Sequence, residues 1–187
     1  MTLDRKAILL LVIQLAIVST IAAKYLSQRN TCPRVWTRAV AYDPELVLRG
    51  RYLSAQLHID LCGVTLPKRT VFPNQYPNGV VFFESEQGSG PNLWARIAAK
   101  DSHLVVASLA ARHDESIQDV LLRNNQDCSN AFLLEPINFY LPSGAKSPFP
   151  LAKGSELWVE VTVPPKGPPR PLNLALSNNG QWQPLSF

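Results

Sequence analysis

Residues 155–163 read Ser155-Glu156-Leu157-Trp158-Val159-Glu160-Val161-Thr162-Val163, and Pro164-Pro165 follow at once. Leu157, Val159, Val161 and Val163 alternate with Glu156, Trp158, Glu160 and Thr162. A period of two places one set of side chains on a core and the other towards solvent, which is the pattern of a half-buried strand. The same pattern recurs in Leu53, Ala55, Leu57 and Ile59, which alternate with Ser54, Gln56 and His58 inside a candidate strand over Val47–Leu61. It recurs again in Leu172, Leu174 and Leu176, ahead of Asn178-Asn179-Gly180 and a last short strand that begins at Trp182. Asn-Gly between two such runs is a strong hairpin signal, because both turn residues must take positive φ.

Working outward, Arg34–Ala41 and Val80–Glu84 are further candidate strands. Leu93–Ala99 and His103–Ala110 flank Lys100-Asp101-Ser102, which reads as a hairpin turn. One short helix is expected after Asp114. This residue is placed to cap it, and Ile117, Val120 and Leu121 would share a face before Asn124-Asn125-Gln126 end it. Sixteen prolines and nine glycines interrupt the remainder and exclude long helices after the first 24 residues. The expected fold is therefore mainly β, an antiparallel sandwich or small barrel with one short helix, in a single soluble domain over residues 34–187.

The N-terminus is of a different kind. Ala7–Ala23 reads AILLLVIQLAIVSTIAA, with Gln14 as its one strongly polar side chain. Residues 1–6 form a short tail, 7–24 a transmembrane anchor in contact with membrane lipid, and 25–33 a juxtamembrane linker. Seventeen helical residues rise about 25 Å, at the short end for a hydrocarbon core of about 30 Å. Lys24 and Tyr25 extend the reach by snorkelling or lying at the interface. A cleaved signal peptide is the competing reading. Arg5 and Lys6 would be its n-region and Ile21-Ala22-Ala23 its cleavage region, but the apolar run is longer than the usual h-region. Lys24, Arg29, Arg34 and Arg38 outnumber Arg5 and Lys6, so a plain count of positive charge keeps the domain in the cytoplasm. The short, signal-like start argues for export, and export is the expectation.

Charge and motifs exclude several function classes. Beyond Lys24 the chain carries 15 Lys and Arg against 13 Asp and Glu, close to balance and without a long basic run, so no nucleic-acid partner is expected. The chain has no Walker motif, no dinucleotide fingerprint and no G-x-S-x-G elbow, and no cofactor is expected. His58 and Asp60 share a strand face, a spacing that can serve a metal but arises often by chance, and no metal is assigned. No serine stands out as a nucleophile, so no catalytic residue is assigned, although a membrane-tethered Ser/Lys-type peptidase is the alternative to a non-enzymatic binding module. Trp36, Tyr52, Trp94, Phe139, Tyr140, Trp158 and Trp182 mostly fall on strands and read as core or interface packing. Of Cys32, Cys62 and Cys128, an exported domain would pair two. Cys62–Cys128 is the expected pair because both follow strands, whereas a reducing compartment would leave three thiols.

One segment is more distinctive. Asp43-Pro44 precedes Leu46-Val47-Leu48-Arg49-Gly50-Arg51-Tyr52, which enters the long strand. This resembles the signature region of the GDYXXLXY family of membrane-anchored bacterial proteins. Gly50 and Tyr52 match the eponymous motif, while Arg51, Ala55 and Leu57 stand where it has Asp, Leu and Tyr. Asn138-Phe139-Tyr140-Leu141-Pro142 is similar to the family's aromatic-proline segment, and Gly154–Val161 to its late strand. The resemblance implies a single-pass protein of a bacterial inner membrane, acting beside a polytopic membrane protein. It marks Asp43, Pro44, Arg49, Gly50, Arg51, Tyr52, Tyr140 and Pro142 as structural or interaction residues, and it implies no activity.

Overall fold

The computed structural model describes residues 5–42, 52–71, 81–85, 88–90, 92–122, 127–142 and 148–185. The chain divides into two units, Met1–Cys32 and Pro33–Phe187.

The first unit is one helix, α1 (Arg5–Thr31). It is long and apolar enough to cross a membrane. At 27 residues it rises about 40 Å, more than a hydrocarbon core of about 30 Å. None of its residues is buried, and the consecutive Ile8, Leu9, Leu10 and Leu11, which point to every side of it, are all exposed. A helix that is apolar all round calls for an apolar solvent rather than a one-sided protein core. The helix runs seven residues into the expected linker, because Tyr25–Thr31 contains no glycine or proline. It stops before Pro33, whose ring disfavours helical backbone at the residue ahead of it.

The second unit is β-rich. Its strands are β1 (Arg34–Ala41), β2 (Tyr52–Ile59), β3 (Arg69–Val71), β4 (Val81–Ser85), β5 (Gly88–Gly90), β6 (Asn92–Lys100), β7 (His103–Leu109), β8 (Ile117–Leu121), β9 (Ala131–Leu133), β10 (Ile137–Tyr140), β11 (Ser155–Thr162), β12 (Arg170–Asn178) and β13 (Gln181–Leu185). One ten-stranded sheet has the order β13-β12-β11-β1-β2-β9-β8-β6-β7, with β10 also paired to β2, and β3-β4-β5 form a small separate sheet. All the named pairings are antiparallel.

The two tight hairpins follow from local chemistry. Asp101 and Ser102 take φ of 50° and 63° between β6 and β7, and Asn179 and Gly180 take 50° and 84° between β12 and β13. Two successive positive φ values match the twist of the flanking strands, which is why Asn, Asp and Gly occur there.

The sheet parts into two halves at β2. β1 pairs with β2 only over Ala39↔Leu57 to Ala41↔Ala55, while its earlier residues stay paired with β11. Beyond Leu57, β2 turns to β9 through His58↔Phe132 and Ile59↔Ala131. The strand path β2-β9-β8-β6-β7 then closes on itself. The Asp60 amide donates to Leu104 O at 3.0 Å, and the Val106 amide donates to Asp60 O at 2.8 Å. The other half, β1-β11-β12-β13, continues as an open sheet. One core runs under both, with Leu57, Leu61, Val120, Leu157, Val159 and Val161 fully buried.

The helix expected after Asp114 is a strand instead, β8, held between β6 and β9. Asp114 does accept from the amide two residues on, Ser116 N at 2.6 Å, but this makes a turn that launches a strand. Pairing on both edges outweighs the i, i+3 spacing of Ile117 and Val120, and burial of Val120 and Leu122 sets the period at two. Among the described residues of this unit the helical element is a single 3-10 turn at Cys128–Asn130.

Candidate binding cleft

The fork between β1 and β2 leaves a cleft of about 240 Å³. Trp36, Thr37 and Arg38 line it from β1, His58, Ile59 and Asp60 from the end of β2, and Trp158 from β11. His103, Leu104 and Ser129 complete its wall. The opening exists because Arg34–Arg38 of β1 stand outside the β2 ladder. Thr37 offsets part of that loss: its hydroxyl donates to His58 O at 2.7 Å, so side chain replaces backbone across the gap.

Alternation decides what faces outward here. Directly paired residues share a face, so the register sets Trp36 beside Glu160 and Asn173. It sets Arg38 beside Trp158, Ala175 and Pro184, and Glu156 beside Ser177 and Trp182. Ala175 and Ser177 are small, which lets the indoles fold over them. Ala175 is only 1 % exposed although it lies on the outer face. The Trp182 ring meets Trp36 edge-on at 5.3 Å and Trp158 at 5.0 Å, both within the range of favourable aromatic pairs.

The polar groups are tied together. Glu156 accepts from Arg38 Nη1 through Oε1 and from Trp158 Nε1 through Oε2, each at 3.2 Å. The other Arg38 nitrogen, Nη2, donates to Asn130 Oδ1. A planar guanidinium held at two points has little freedom left, so the rim is pre-organised. The Arg38–Glu156 pair is well exposed, at 37 % and 47 %, and such pairs contribute at most about 1 kcal/mol to stability. Their effect is on shape rather than on folding.

Cys62 and Cys128 are joined by a disulfide that crosses 66 residues of chain. It stands directly behind the cleft wall. Asp60, Ser129 and Asn130 are the flanking residues, the Leu61 amide donates to Cys128 O at 2.9 Å, and Asp60 Oδ1 accepts from the Cys62 amide at 2.7 Å. Cys32 remains a thiol.

The motif residues fall elsewhere. Tyr52 and Tyr140 are directly paired across β2 and β10, their rings 5.7 Å apart and both more than half exposed. Pro142 is exposed just past β10. Asp43, Pro44, Arg49, Gly50 and Arg51 lie outside the described residues. His58 and Asp60 do share the cleft, but among the described residues no group of three metal-ligating side chains forms. Ser116, a serine with described side-chain partners, donates to Asp114 Oδ1 and accepts from Arg96 Nη2 at 3.1 Å, an arrangement that fixes a turn.

The cleft residues Trp36, Arg38 and Trp158, and Asn130 and Glu156 that bond to them, were not separable from packing residues in the sequence. The available signal was an indole at an outward position, Trp158 between Glu156 and Glu160. Comparison with known proteins returned no matching family model, no matching curated protein and no matching solved structure.

Proposed function

We propose that this chain is a single-pass, membrane-anchored binding module, non-enzymatic, whose β-domain stands on the extracytoplasmic side of a bacterial inner membrane and works beside a polytopic membrane protein. The observation that carries the reading is the state of the polar groups at the cleft's rim. Arg38, Glu156, Asn130 and the Trp158 N–H satisfy one another in a fixed frame, as a recognition surface requires. A nucleophile set against a base would be arranged differently.

Two features support the membrane placement. Helix α1 is apolar on every side, and the Cys62–Cys128 bond belongs to an oxidising compartment. Cys32 gives a direct assay of sidedness. In intact cells an impermeant maleimide should label Cys32 alone, with two further sites appearing after reduction. Labelling only after lysis, at all three cysteines without reductant, would reverse the placement.

The binding role is tested by photo-crosslinking from the membrane-inserted chain. A photo-reactive residue at Ser129, in the cleft wall, should give adducts. The same residue at exposed Ser108, in the closed half, should give none. Equal yields from the two positions would remove the cleft from the account.

A further inference from the structure

We infer that the cleft at the fork is a saccharide subsite, an assignment that rests on the binding-module reading and names its ligand class. The cleft's size, its indoles, its polar lining and its charge point the same way. The cleft is small: its volume of about 240 Å³ lies below the roughly 300–1,000 Å³ of pockets that enclose a drug-sized ligand. It therefore takes one ring of a longer molecule and leaves the remainder outside. Two of its lining residues, Trp36 and Trp158, supply flat apolar surface, and Trp182 fixes both rings. A pyranose carries C–H faces that pack on such rings and hydroxyls around its rim.

The polar lining matches that rim. Arg38, Asp60, His58, His103 and Ser129 place donors and acceptors around the indoles. Neighbouring sugar hydroxyls, each both donor and acceptor, satisfy groups of this kind in pairs. Charge discriminates further. Arg38 faces Glu156 at 3.2 Å, and Asp60 lies in the same lining, so the site presents both signs and favours a neutral ligand over a phosphate or a polycation. A proline-rich peptide, the main rival for a tryptophan-lined groove, fits less well. Proline rings would cover the indoles but bring no donor to the Asp60 carboxylate in the same lining, whereas sugar hydroxyls do.

The test uses the full chain in phospholipid nanodiscs prepared without glycolipid or glycoside detergent. Cellotetraose, maltotetraose and chitotetraose are titrated separately while tryptophan emission is followed. At least one should give a saturable change. Trp182→Ala and Arg38→Met should each weaken it by about tenfold or more, with far-UV circular dichroism unchanged. Trp94→Phe, on β6 in the closed half, should leave it intact. Trp182 is about half exposed, so its removal does not open the core. No response to any of the three sugars overturns the assignment, as does a response that survives both cleft variants. A proline decapeptide is titrated in parallel. If it binds and the sugars do not, the saccharide class fails while the binding cleft stands. If nothing binds and Ser129 yields no photo-adduct, both fail.

Discussion

The two halves of the long sheet are written in the same alternating code and end differently. The half β2-β9-β8-β6-β7 rolls until Asp60 meets Leu104 and Val106, so its last strand finds backbone partners on its first. The half β1-β11-β12-β13 stays open. Its outer face carries three indoles and a carboxylate–guanidinium frame, whereas the closed half carries one indole, Trp94, against His113 at 6.1 Å. Closure removes a sheet edge, which is otherwise a site for unwanted pairing. The open half manages its last strand, β13, with Pro184, which cannot donate to a further strand. A fold divided in this way can keep one half for stability and present the other.

Variants can break or sharpen that division. The largest effect is expected at the shared core. Leu57, fully buried where the halves part, should cost about 2–5 kcal/mol as Leu57→Ala, and both halves should unfold in one transition in urea. Two separate transitions would show that the halves are independent folding units. Replacing Cys62 and Cys128 by serine should cost about 2–4 kcal/mol, because the bond restrains 66 residues of unfolded chain. The loss should appear as faster amide exchange first in β2 and β9, which flank the bridge.

Gly180→Ala is expected to cost about 1–2 kcal/mol, since its φ of 84° is unfavourable for a side chain. Nothing lies within 4 Å of the added Cβ, so the whole effect is backbone strain, and the melting temperature should fall without change at the closed half. The smallest effect concerns acid. The Ser116 hydroxyl and amide, both bonded to Asp114, hold its carboxyl below the usual carboxylate value. A lowered folded value gives stability that is present above the unfolded carboxylate pKa and lost as pH falls through the folded one. Asp114→Asn should lower the urea midpoint slightly at neutral pH, and the difference from the unchanged chain should vanish as pH falls through the folded Asp114 value, which flattens the acid limb.

Strands with clean alternation were legible residue by residue. Arg34–Ala41 is β1 as read, and Ser155–Thr162 holds the expected buried Leu157, Val159 and Val161, whereas in Arg170–Asn178 Leu174 is buried and Leu172 and Leu176 are half-buried. Both tight hairpins were legible because their turn residues are chemically restricted. β8 was misread because Asp114 begins a turn and a helix alike, and only the flanking strands decide. The short β9 and β10 gave little periodicity, since three or four residues cannot show one. The cleft was hidden for a different reason. It depends on where β1 parts from β2, and strand order brings Arg38, Asn130 and Glu156 together from positions 118 and 92 residues apart.

The division into a closed and an open half is tested most directly by NMR-detected amide hydrogen exchange at Asp60 and Val106. Both donate the bonds that close the first half. The account predicts that they exchange as slowly as Leu57 and Val159, through global unfolding. Exchange as fast as that of Gln181–Leu185 in the outermost strand would contradict closure, and with it the fork on which the cleft depends.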